Sequence, residues 1–131
     1  MCMADDADRV ELLSTALVKA RKEHACLECR RVIKPGELYL RESYVSDGFR
    51  THRTCTHCLI AREWLLKECN GFLYGFVLED VAEHFHEYRS LYPWKFRIGL
   101  GRLVVGMQSK WANGKMPRLP LTTAQYRNVT A

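Results

Sequence analysis

The chain has 131 residues, a formal net charge of +5 and a hydrophobic fraction of 47%. This length fits one compact domain, and this hydrophobic fraction excludes wholesale disorder. No apolar run approaches the ~20 residues that a membrane-spanning helix needs, and the acidic start lacks the pattern of a secretory signal, so we expect a cytoplasmic protein without a membrane partner.

The first predicted element is an N-terminal helix over residues 5–24. Val10, Leu13, Leu17 and Ala20 follow the spacing of a buried helical stripe. Acidic residues at the start of this segment and basic residues at its end suit the dipole of a helix.

The next elements are a β-hairpin and a second helix. Residues 37–45 are rich in β-forming side chains, Ser46-Asp47-Gly48 is a turn signal, and residues 49–54 can return as the partner strand. The segment after Cys58 has an apolar helical face, and Asn70-Gly71 ends it.

The second half of the chain predicts two more helices, over residues 78–91 and 94–112, separated by Pro93. Two prolines beyond them predict a tail without regular structure. The sequence thus divides into an N-terminal helix (1–24), a zinc module (25–71), a helical extension packed on that module (72–114) and a basic tail (115–131).

The cysteines carry the strongest chemical signal. Two C-x2-C pairs, Cys26 with Cys29 and Cys55 with Cys58, stand on either side of the predicted hairpin. In a chain without a secretory signal this spacing indicates metal binding, and four thiolates suit one structural Zn²⁺ in a closed tetrahedral site. We expect Cys2 to be a plain terminal thiol and Cys69 a small residue at a helix end.

The order of knuckle, hairpin and second knuckle at a helix start resembles a treble-clef zinc finger over residues 24–69. The stretch 26–37 is similar to the opening of such modules in small bacteriophage proteins. This resemblance implies an α+β fold with four cysteine ligands. A weaker likeness to LIM domains and to the fingers of poly(ADP-ribose) polymerases rests on His52 and Cys55, and would make His52 the fourth ligand in place of Cys58.

Charge is segregated along the second half of the chain, where the last 43 residues contain no acid. We expect a non-enzymatic binding protein that contacts DNA or RNA through its basic C-terminal helix and tail. The candidate contact residues there are Lys95, Arg97, Arg102, Lys110, Lys115 and Arg118. Arginines near the zinc site either extend this surface or neutralise the thiolates; they are Arg30, Arg31, Arg50 and Arg53.

Two other functions stay open at this stage. The first is a protein-interaction adaptor, or a phage-encoded inhibitor of a host enzyme, whose basic surface docks on an acidic protein. The second is a nuclease similar to the HNH family, in which His52 would serve as the base. Glu79, Asp80, Glu83 and Glu87 are expected to form a solvated helix face.

Overall fold

The computed structural model describes residues 2–6 and 11–130. This part of the chain has an α+β architecture of four α-helices and two small antiparallel sheets. The strands are β1 (Glu11–Lys19), β2 (His24–Ala25), β3 (Val32–Ile33), β4 (Leu38–Val45) and β5 (Phe49–Cys55). The helices are α1 (Thr56–Cys69), α2 (Val77–Glu87), α3 (Trp94–Gln108) and α4 (Thr123–Thr130), and Met3–Asp6 form one short 3-10 helix. None of the described helices has the length and apolar character needed to cross a membrane.

The larger sheet has the order β1-β4-β5. Strands β4 and β5 form the predicted hairpin, with Val45 paired to Phe49 and Tyr39 paired to Cys55. At its turn, Asp47 and Gly48 both have positive φ, and the N–H of Ser46 donates to the carbonyl of Gly48 at 3.0 Å. The smaller sheet, β2-β3, closes the loop that contains the first cysteine pair.

The prediction of an N-terminal helix is wrong for the described residues. Glu11–Lys19 form strand β1, which pairs with the free edge of β4, and residues 7–10 lie outside the described part of the chain. Leu13 and Leu17, which were expected in a buried stripe, are each about half exposed. The backbone ladder to β4, rather than burial of side chains, therefore determines the conformation of this segment.

The N-terminal segment is tied to the end of α1. Cys2 forms a disulfide with Cys69, so the expectation of two separate thiols without a role is wrong. Ala4 lies close to Gly71: a Cβ added to Gly71 would be 3.1 Å from the Cβ of Ala4.

A single core connects the sheets and the helices. Ile33, Trp64, Val81 and Leu100 are fully buried members of the same cluster, which also includes the four cysteines of the C-x2-C pairs. Trp64 and Trp111 belong to this core, whereas Trp94 is 59% exposed. Gly101 permits the close approach of α3 to α2, since a Cβ there would lie 3.0 Å from the ring of Phe85.

The tail is more ordered than predicted, because its last part forms α4. Thr122 and Gln125 make a reciprocal capping box: the Thr122 N–H donates to Gln125 Oε1 at 2.9 Å, and the Gln125 N–H donates to Thr122 Oγ1 at 3.2 Å. The tail is held to α1 by the indole N–H of Trp64, which donates to the carbonyl of Leu121 at 3.0 Å.

Candidate metal centre and basic clefts

The four cysteines of the C-x2-C pairs lie together. All four sulfurs are within 4.8 Å of one another, and no member is more than 5% exposed. This buried group could hold a metal ion and is compatible with a structural zinc site, in which four thiolates leave no open position.

The local backbone positions the two cysteine pairs, one in a loop and one at a helix start. Between β2 and β3 the Arg30 N–H donates to the carbonyl of Cys26 at 2.9 Å, and Arg30 adopts φ 68°, so residues 26–30 form one hydrogen-bonded turn that contains both Cys26 and Cys29. Strand β5 ends at Cys55, and α1 begins at the next residue, so Cys58 lies in its first turn. The positive end of a helix dipole favours thiolates at this place.

Three N–H groups point at the sulfurs. The backbone N–H of Arg31 donates to Cys29 Sγ at 3.4 Å, that of Cys55 to Cys26 Sγ at 3.3 Å, and the indole of Trp111 to Cys58 Sγ at 3.4 Å. Such bonds stabilise negative charge on sulfur. They suit four thiolates around a divalent cation, which together carry a net charge of −2.

The four thiols compete for charge when they share the site without a cation. The pKa of Cys26 is lowered because Cys29, and then Cys55 and Cys58, donate to its sulfur. The pKa of Cys29 and that of Cys58 are raised, chiefly by their bonds to Cys26. A divalent cation removes this conflict, because each sulfur can then be a thiolate.

A buried polar pair connects the first cysteine loop to α2. Glu28 lies between Cys26 and Cys29 in the sequence, and its Oε2 accepts a hydrogen bond from His52 Nε2 at 2.9 Å. The same carboxylate accepts the N–H of Gly75 at 2.9 Å and that of Val77 at 3.2 Å, so it caps the start of α2. His52, the alternative fourth ligand, thus lies outside the group of four sulfurs.

The arginines near the centre have different environments. Arg31 pairs with Glu37 at 3.0 Å; burial opposes its charge, but Glu37 and the Cys55 sulfur raise the pKa of its guanidinium. Arg30 and Arg50 are exposed, and Arg53 is half-buried. The structure therefore favours a neutralising role for Arg31.

A groove of about 1450 Å³ runs along α3, the tail and α4. Its floor is largely apolar, and its cationic lining consists of Lys95, Arg102, Lys115 and Arg118, all predicted contact residues. None of the described acidic residues lines the groove, and none forms an ion pair with these four side chains. Trp94, also in the lining, offers an exposed aromatic ring.

A second basic cleft, of about 810 Å³, lies beside β1 and the first cysteine loop. Its lining contains Lys19, Arg21, Lys22, Arg41 and Arg53, and no described acidic residue. Nε of Arg53 is buried without a hydrogen-bond partner in the described part of the chain. Desolvation and the charges of Arg53 and Lys22 lower the pKa of His24 in this cleft.

Two predicted contact residues lie elsewhere than expected. Arg97 is 8% exposed; its Nε and Nη2 donate to the carbonyl of Phe85, and its guanidinium lies 4.4 Å from the centre of that ring. It is a structural residue, because a planar guanidinium can stack and donate at once. Lys110 is exposed but follows the end of α3 in a positive-φ turn, outside the groove lining.

Sequence reasoning missed several buried polar residues. Glu28, Asp80 and His84 are each no more than 7% exposed, although Asp80 was expected on a solvated face. The capping box at Thr122 and Gln125 was a readable sequence signal for α4. Glu28 offered none, because its partners lie far away in the chain.

No protein-family model matches this chain, and neither the search of curated proteins nor the search of solved structures finds a match.

Proposed function

We propose that this chain is a non-enzymatic nucleic-acid-binding protein whose fold depends on one structural zinc ion. One observation carries the proposal: the linings of two separate clefts contain nine lysines and arginines and no described acidic residue. A polyanion is the ligand class that such linings favour.

The proposed cofactor follows from the ligand set. Thiolates are soft ligands, and a tetrahedral set of four of them favours Zn²⁺ or an iron–sulfur centre over Mg²⁺ or Ca²⁺. The first cysteine pair in a loop and the second at the start of α1, with the hairpin between them, support the treble-clef likeness. Such a closed site has a structural role.

The groove along α3 has the features of a single-strand site. Phosphates would lie against Lys95, Arg102 and Arg118, while a base would stack on Trp94, which is 59% exposed. Base stacking on aromatic rings tolerates any sequence, and it contributes about 1–3 kcal/mol per base. Three phosphate contacts on a single strand predict a slope of about −2 in log K against log salt concentration.

The experiment is fluorescence anisotropy of labelled single- and double-stranded DNA and RNA with zinc-loaded protein across a salt series. The double variant Lys95→Ser/Arg102→Ser should weaken binding and reduce the slope by about 0.7 per lost contact. The matched control, Lys67→Ser/Arg89→Ser, removes two exposed cations outside both clefts. An equal loss in both double variants would contradict the groove as the binding site.

A protein partner is the alternative that one observation favours. Val105, Met116, Leu121 and Val129 are between 45% and 72% exposed and line the same groove. An acidic amphipathic segment of another protein would cover these side chains and form ion pairs with the lysines and arginines of the groove lining. Absence of nucleic-acid binding at low salt, in protein that contains its metal, would support this alternative.

The geometry around His52 supports a non-enzymatic role. A nuclease base must reach the water or hydroxyl that it deprotonates. His52 is 3% exposed, and its Nε2 is bonded to Glu28. Metal-dependent cleavage of nucleic acid that disappears in His52→Gln would contradict this part of the proposal.

A further inference from the structure

A second group of metal-ligating side chains lies at the other end of α1. The ligand atoms of Cys2, Cys69 and His84 are all within 4.8 Å of one another. Nε2 of His84 is 3.4 Å from Cys69 Sγ and 3.7 Å from Cys2 Sγ. The three residues come from the N-terminal segment, the last position of α1 and the middle of α2, so the group joins three parts of the chain.

Hydrogen bonding orients the imidazole toward the sulfurs. Nδ1 of His84 lies 2.8 Å from the carbonyl oxygen of Asp80 and 3.1 Å from its carboxylate Oδ1. A proton on Nδ1 leaves the lone pair of Nε2 directed at the two cysteines. Metal-binding histidines are commonly fixed in this way by a carbonyl or carboxylate behind the ring.

The surroundings of the imidazole favour a cation. Asp80 and His84 are each 1% exposed, and apart from Nδ1 of His84, which lies 3.1 Å from Oδ1, the Asp80 carboxylate has no hydrogen-bond partner among the described residues. The ring of Trp64 packs edge-on against His84 with 5.2 Å between ring centres. A divalent ion at Nε2 would place positive charge across the ring from this buried carboxylate.

We propose that Cys2, Cys69 and His84 form a redox-gated metal site that holds a zinc-class divalent cation when the Cys2–Cys69 disulfide is reduced. Two thiolates and one imidazole provide three protein ligands, which leaves a fourth position for water or another ligand. The disulfide is the metal-free state of the same site. This inference concerns a different site from the Cys26, Cys29, Cys55 and Cys58 centre and does not depend on nucleic-acid binding.

A low-molecular-weight disulfide is the oxidant that converts the reduced, metal-bound site into the Cys2–Cys69 disulfide. One cysteine thiolate attacks this disulfide, forms a mixed disulfide and expels one small thiolate. The second cysteine thiolate attacks the mixed disulfide, which creates the Cys2–Cys69 bond and expels the second small thiolate. The metal ion leaves, and the two expelled thiolates take up two protons; reduction by two small thiols reverses each step.

Metal content per chain tests the proposal. Full-length protein is equilibrated with excess zinc, either reduced with a phosphine or mildly oxidised with oxidised glutathione, then desalted and measured by elemental analysis. The reduced protein should retain one metal equivalent more than the oxidised protein. Cys2→Ser should lose this extra equivalent in the reduced state, and His86→Gln, which replaces an exposed histidine two positions after His84 in α2, should keep it.

Cobalt(II) gives a second readout of the same site. Difference spectra between reduced wild type and reduced Cys2→Ser should show thiolate-to-metal charge-transfer bands from the additional ion. Because Cys2 is bonded to Cys69 at the end of α1, whereas Cys58 lies in its first turn, replacement of Cys2 should leave the four-cysteine centre loaded. Equal zinc content in reduced wild type and reduced Cys2→Ser, with no cobalt difference spectrum, would overturn the proposal.

Discussion

The carboxylate of Glu28 accepts a hydrogen bond from the buried imidazole of His52, with 2.9 Å between Oε2 and Nε2. Glu28 belongs to the first cysteine loop, and His52 belongs to β5. Because the same carboxylate also caps α2, it connects the candidate metal centre, the sheet and the helical half of the molecule.

We predict that Glu28→Ala lowers the free energy of unfolding by about 3 kcal/mol, since two backbone N–H groups and one imidazole lose a buried acceptor. Urea unfolding of metal-loaded protein measures the change. Glu23→Ala, a nearby exposed carboxylate, is the matched control and should change stability by less than about 0.5 kcal/mol. Similar values for the two variants would contradict the role of Glu28.

Metal removal should unfold the first half of the chain, because a structural zinc site contributes roughly 10–16 kcal/mol of apparent binding free energy. Cys58→Ser should therefore lose both the metal and the near-ultraviolet circular dichroism of the folded state. His52→Gln, which can still donate to Glu28, should keep one metal equivalent at the four-cysteine centre. The opposite pattern would support a Cys-Cys-His-Cys site.

Arg97 and Lys95 should separate stability from binding. Arg97→Ala removes two hydrogen bonds to the Phe85 carbonyl and a stacked guanidinium, so it should cost about 2–3 kcal/mol of unfolding free energy. Lys95→Ala should change stability by less than about 0.5 kcal/mol but weaken the binding of the groove's ligand. Thermal unfolding measures the stability of each variant, and anisotropy on the same samples measures its binding. If folded Arg97→Ala bound more weakly than Lys95→Ala, the two roles would be assigned wrongly.

Tyr74 should make stability fall at alkaline pH. Burial and the neighbouring charge of Glu42 raise the pKa of Tyr74 to about 12, against about 10 in an unfolded chain. The folded state therefore holds this proton more tightly, and its contribution is complete below about pH 10 and is lost as pH rises toward 12. The difference in unfolding free energy between wild type and Tyr74→Phe should shrink over this range; a constant difference would contradict the prediction.

The hairpin, α1 and the gathering of four cysteines were predictable because their signals are local. Turn residues at Ser46-Asp47-Gly48 and the C-x2-C spacing act over a few positions, so a single sequence displays them. The α+β class followed from these elements. The metal ion and the treble-clef likeness remain predictions.

The errors arose where distant partners override local preference. Glu11–Lys19 satisfy a helical spacing, but the free edge of β4 converts them into a strand. Arg97 was predicted as a contact residue from its charge alone, but the carbonyl and ring of Phe85 hold its guanidinium in a buried position. Cys2 and Cys69 are 67 positions apart, and nothing local to either one indicates the other.

The three tryptophans lie at three different functional places, so the intrinsic fluorescence of each one can report on its own place. The indole of Trp111 touches a sulfur of the candidate metal centre, that of Trp64 holds the tail to α1, and that of Trp94 stands exposed in the groove. Emission depends on each indole's surroundings. Three single-tryptophan versions of the chain would thus report separately on metal loading, on docking of the tail and on occupancy of the groove, without an attached dye.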